Sequence, residues 1–74
     1  MENAQTFDQR LVVFTHERIT LGGNSGTFVC FLAASADLTD DEVRTILDPE
    51  VEAGRLEYGH SEKGTLFVRH PEDN

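Results

Sequence analysis

Hydrophobic positions fall into clusters separated by polar, glycine-bearing stretches. In residues 10–21, Leu11, Val13, Thr15, Ile19 and Leu21 share one parity, and Val12, Phe14 and His16 the other. Alternation with this many β-branched residues predicts a strand, bent or bulged at Thr15-His16-Glu17-Arg18. Gly22-Gly23-Asn24-Ser25-Gly26 is rich in residues that accept positive φ and reads as a hairpin loop. Residues 27–34 then read as a second strand, with Phe28, Cys30 and Leu32 on one face and Val29 and Phe31 on the other. Apolar residues on both faces place it centrally in a sheet.

The one helix is expected over residues 38–47. Thr39 and Glu42 have capping-box spacing, and Leu38 and Val43 occupy the positions of a hydrophobic staple. Asp40, Asp41 and Glu42 fill the first turn, where the helix dipole favours negative charge. Val43, Ile46 and Leu47 form the apolar stripe. Asp48-Pro49 ends the helix, because proline disfavours the α conformation in the residue before it. Room remains for one short further turn before Gly54. Residues 55–58 and 65–69 pair as a hairpin, with Leu56 and Tyr58 facing Leu66 and Val68. Residues 1–9 and 70–74 are loose tails.

The expected fold is therefore a single small α+β domain over residues 1–74, in the order β-β-α-β-β. A four-stranded antiparallel sheet carries one short helix on one face. The opposite face, with Val12, Phe14, Phe31 and Phe67, is covered by loops and tails or docks another chain.

Charge changes the picture more than composition does. The 74 residues hold 6 Lys and Arg against 14 Asp and Glu, a formal charge of -8. Too few cations are available to displace counterions from DNA or RNA, and an anionic membrane is disfavoured for the same reason. No apolar run approaches the length that spans a bilayer, and the polar first ten residues do not form a secretory signal. Cys30 is the only cysteine, so it forms no intramolecular disulfide and reads as a small buried hydrophobe. Together these features imply a cytoplasmic protein.

Candidate chemistry is sparse. The glycine-rich loop lacks the Lys and the following helix of a phosphate-binding loop. No serine sits in a Gly-x-Ser-x-Gly elbow. The acids do not follow the calcium-loop pattern. His16, His60 and His70 lack metal-ligand spacing, although His16 and His70 become neighbours if the first and last strands are adjacent. No catalytic residue, metal or cofactor is expected. A helix followed by a hairpin also resembles the end of a winged-helix domain. Its recognition helix would carry Asp40, Asp41 and Glu42, which phosphates repel, so that reading is rejected for DNA binding.

Residues 37–57 hold eight acids against Arg44 and Arg55, -6 of the total -8. This points to a non-enzymatic module that presents Asp40, Asp41, Asp48, Glu50 and Glu52 to a protein partner with a basic surface. A sharper form is an inhibitor that imitates nucleic acid, by analogy of size and charge with small phage proteins. The alternative is a self-associating protein, such as a homodimer, that pairs through Phe14, Phe31 and Phe67 or through an edge strand. A ligand site lined by His16 and His70 is a third reading.

Overall fold

Residues 10–21, expected as the first strand, are helical. In the computed structural model, which describes residues 6–23 and 25–71, α1 spans Phe7–Leu21. Its start is specified by a capping box outside the region read as a strand. The Gln9 amide donates to Thr6 Oγ1 (3.1 Å), and the Thr6 amide donates to Gln9 Oε1 (2.9 Å). Leu11, Thr15 and Ile19, four residues apart, are its buried positions. That spacing satisfies a helix as well as it satisfies an alternating strand. The buried Thr15 hydroxyl donates to the Leu11 carbonyl (2.8 Å), so it remains satisfied within the helix.

The second expected strand is also mostly helix. Only Thr27–Phe28 pairs as β1, and Val29–Ala36 forms α2. Val29, Leu32 and Ala33 are buried, and Ala36 packs against the same core. These positions are i, i+3, i+4 and i+7, one face of a helix. The other face is exposed and includes Cys30, contrary to its expected burial. The glycine-rich segment thus joins a helix to a short strand and is not a hairpin loop. Its Asn24 lies outside the described residues.

Asp37 takes the left-handed conformation (φ 60°) and ends α2, and the Leu38 amide donates back to the Ala33 carbonyl (2.8 Å). Two residues later α3 begins, spanning Asp40–Glu52 with Thr39 as its N-cap. The expected Thr39–Glu42 capping box is present, at 2.8 and 3.1 Å. Pro49 does not end the helix but lies inside it. Val51 packs against the core one turn beyond Leu47, and this packing outweighs the local preference against helix before proline. Gly54 (φ 82°) makes the stop.

Glu57–His60 (β2) and Leu66–Arg69 (β3) form a hairpin, with Tyr58 opposite Val68 as expected; its first strand is shifted two residues onward, so Gly59 and His60, expected in the turn, belong to β2, and Leu66 lies opposite His60. The sheet has three strands in the order β1-β3-β2, both pairings antiparallel. Leu11, Ile19, Val29, Leu32, Ala33, Val43, Leu47, Leu56 and Val68 form one core between the helices and the sheet.

The β-β-α-β-β arrangement is therefore replaced, among the described residues, by α1-β1-α2-α3-β2-β3. Three helices and a three-stranded sheet stand where one helix and four strands were expected. The N-terminal tail is corrected as well, since residues 7–9 belong to α1. Residues 1–5 and 72–74 lie outside the described residues. The order is that of a helix-turn-helix, α2 and α3, followed by a β-hairpin wing paired to β1.

Candidate functional site

Helix α3 carries six carboxylates against Arg44, a net of -5. Asp40, Arg44, Asp48 and Glu52 recur every four residues and form one outward ridge, with Asp41 beside it. All five are exposed. Val43 and Leu47, on the flank of the helix beside this ridge, are buried. The ridge is anchored at its centre. Tyr58 on β2 donates its hydroxyl to Asp48 Oδ1 (2.8 Å), with the Arg44 carbonyl also within reach (3.2 Å). Burial, followed by the bond to Asp48, raises the Tyr58 phenol well above its ordinary range. The Arg44 guanidinium lies over the same ring, 5.9 Å from its centroid.

Glu50, expected on this surface, is separated from it. Its side chain is only 14% exposed. Arg55 donates to it through Nε (3.0 and 3.1 Å) and Nη2 (2.8 Å). On its other side it contacts His16 Nε2 at 2.9 Å. The fork-like grip of Arg55, reinforced by His16, lowers the Glu50 carboxyl from 4.5 to about 2. The same pairing raises the Arg55 guanidinium further. Of the five acids expected to meet a partner, four stand outward and Glu50 is used internally.

His16 and His70 come together, although neither first nor last strand arranges it as anticipated. His16 is on α1, and His70 is the residue after β3. His16 Nδ1 and His70 Nε2 are 2.9 Å apart. The ring planes differ by 21° and the centroids are 5.0 Å apart. An N···N contact this short is closer than stacked faces allow, so the rings meet edge to edge in a hydrogen bond. His16 therefore uses its two nitrogens in opposite directions, toward His70 and toward Glu50. That geometry does not converge on a cation, and no group of three metal-ligating side chains occurs among the described residues. Sequence reasoning raised the meeting of the histidines but found no part for Glu50 or Arg55 in it. No local spacing links residues 16, 50, 55 and 70, and only the packing of α1 beside α3 joins them.

The three phenylalanines do not share a sheet face, because the strands that would have formed it are helices. Phe14 is half-buried on α1 and packs against the core. Phe31 is exposed on α2, beneath the Arg18 guanidinium at 5.0 Å. Phe67 is half-buried on β3, with Arg69 over its ring. No helix among the described residues is long and apolar enough to cross a membrane. Comparison of the chain with family models, curated proteins and solved structures finds no match.

Proposed function

We propose that this chain is a small non-enzymatic binding module that lays the outward ridge of α3 on a basic surface of a protein partner. The observation that carries this reading is the charge of the exposed helix in a helix-turn-helix frame. Where a nucleic-acid reader presents cations to phosphates, α3 presents Asp40, Asp41, Asp48 and Glu52, with Arg44 between them. A surface of this sign fits a Lys/Arg-lined groove, including one built for nucleic acid, and so suits an inhibitor of such a partner. A cytoplasmic setting belongs to the same proposal and rests on the single cysteine.

The test is capture from host lysate by the wild type and by a D40N/D41N/D48N/E52Q variant. The variant keeps an acceptor oxygen at residue 48 for Tyr58. A stoichiometric partner should bind the wild type at low salt, be released by moderate salt, and be displaced by duplex DNA if its groove is one for nucleic acid. Equal capture of that partner by the folded variant refutes the proposal.

The second reading, self-association, is favoured by the exposure of Phe31 together with Leu21, Phe28 and Val13. Sedimentation at low and high salt separates the two readings, because apolar pairing persists in salt and acidic docking weakens.

A further inference from the structure

Strand β2 closes one side of the sheet. In the order β1-β3-β2 it pairs with β3, and no strand lies along its other side among the described residues. The register fixes which main-chain groups are left outward. The Ser61 amide donates to the Thr65 carbonyl (2.9 Å), so Ser61 and Thr65 are a hydrogen-bonded pair of the antiparallel ladder. Such pairs alternate with non-bonded ones, so Gly59 and Glu57 also bond inward, to Phe67 and Arg69. Tyr58 and His60 therefore direct their amides and carbonyls away from the sheet. Before them, the Leu56 amide is already taken by the Glu50 carbonyl (3.3 Å). What remains is two donors and two acceptors, one pair of each about 7 Å from the next along the strand. Edges of this kind are commonly blunted by lysine, proline or a bulge. The Glu57-Tyr58-Gly59-His60 strand has no lysine or proline, and its register is continuous.

The ridge of α3 borders this edge. Tyr58 lies opposite buried Val68 and so stands on the helix side of the sheet. From there its hydroxyl reaches Asp48 (2.8 Å), beneath the Arg44 guanidinium. A chain laid along β2 would thus run beside Asp48 on one face, while Glu57 stands on the other face of the same strand.

We propose that β2 takes up an extended, Lys/Arg-bearing segment of a protein partner as a fourth strand, with its cations beneath the α3 ridge. The proposal rests on the reading of α3 as a surface for a basic partner, and it gives that partner a form. Main-chain bonds at Tyr58 and His60 hold the strand, and Asp48 with its ridge neighbours selects its charge. Charge also favours this occupant over a second copy of the chain. Antiparallel pairing of two β2 strands would bring two α3 helices, each of net charge -5, to one seam on the same face of the joined sheet.

The probe is a short capped peptide of alternating lysine and threonine, which places every ammonium on one face of a strand. Proton–nitrogen NMR of the full chain at low salt should show the Tyr58 and His60 amides moving downfield as it binds. The same peptide N-methylated at every residue keeps its charge but loses its donors, and should bind about tenfold more weakly. Neither arm needs a variant to fold. The D40N/D41N/D48N/E52Q variant should lose the peptide. His60→Pro removes one outward amide and none of the β2–β3 bonds, and should weaken binding by about tenfold. Equal binding of the two peptides, or no binding of the unmethylated one, overturns the proposal. So does protection of the two amides that grows with protein concentration in the absence of peptide, which would put a second copy on the edge. Capture from lysate separates this failure from that of the ridge: a partner lost by the ridge variant but kept by H60P removes the added strand and leaves the acidic surface standing.

Discussion

Replacing Glu50 by Gln removes a charge but little volume, and so tests whether this carboxylate is structural. Three Arg55 contacts and one His16 contact converge on it, at 2.8 to 3.1 Å. A carboxyl lowered from 4.5 to about 2 corresponds, at about 1.4 kcal/mol per tenfold, to roughly 3 kcal/mol at full value. The Arg55 side chain is 61% exposed, so solvent screens much of its attraction. The expected loss for E50Q near pH 7 is therefore about 1–2 kcal/mol. The loss has a defined pH signature. Because the folded carboxyl is depressed, the unfolded chain takes up this proton first as pH falls. The stabilisation is complete above the ordinary value of 4.5 and disappears as pH falls toward 2.

The assay is urea denaturation followed by circular dichroism, for both proteins at a series of pH values from 7 to 3. The two midpoints should differ near neutrality and converge toward the acid end. Equal stability at pH 7 would show that Glu50 holds nothing together. A deficit that stays constant down to pH 3 would show that the loss comes from shape rather than charge.

Three further outcomes follow from other contacts. A Cβ at Gly59 would lie 2.8 Å from two atoms of the Phe67 ring, so Gly59→Ala should cost about 1–3 kcal/mol in thermal unfolding; an unchanged melting temperature would mean the hairpin does not pack as described. Because the Tyr58 phenol is raised in the folded state, the unfolded chain ionises first above its ordinary value of 10.0, and stability should fall as pH rises past that point. Tyr58→Phe should flatten that fall and lower neutral stability by about 1 kcal/mol, as read by denaturant titration. Finally, the net charge of -8 and the close spacing of the α3 acids predict that stability increases from 0.05 to 1 M NaCl as repulsion is screened; a decrease would show that ion pairs such as Arg55–Glu50 outweigh it.

The C-terminal half of the fold was far more legible in the sequence than the N-terminal half. Thr39 and Glu42 announce α3 without a competing signal, and the hairpin pairs Tyr58 with Val68 as its alternation implies. Residues 10–21 misled because Leu11, Thr15 and Ile19 fit both periods, while Val12 and Val13 favoured strand locally. The deciding signal was Thr6 with Gln9, a capping box hidden in a stretch read as a loose tail. Residues 27–36 misled for a different reason. Unbroken apolarity carries no period, and the helical stripe of Val29, Leu32, Ala33 and Ala36 emerges only when Cys30 and Phe31 are allowed to face solvent. Once those two segments are helices, the described chain holds three helices and one three-stranded antiparallel sheet.

The same correction changes what the acids mean. On an isolated short helix, Asp48, Glu50 and Glu52 would be one solvated cluster with a single role. Extending α3 through Pro49 to Glu52 turns Glu50 away from its neighbours, toward α1, where His16 and Arg55 hold it. Asp48 and Glu52 stay on the ridge with Asp40. Charge is thereby divided by helical phase: Glu50 closes the fold against α1, Glu42 caps its own helix, and Asp40, Asp41, Asp48 and Glu52 remain outward. The two roles are separable by substitution. E50Q should weaken the fold while leaving the ridge's charge in place, whereas the four-residue ridge variant should abolish docking and leave the Glu50–His16–His70 line intact.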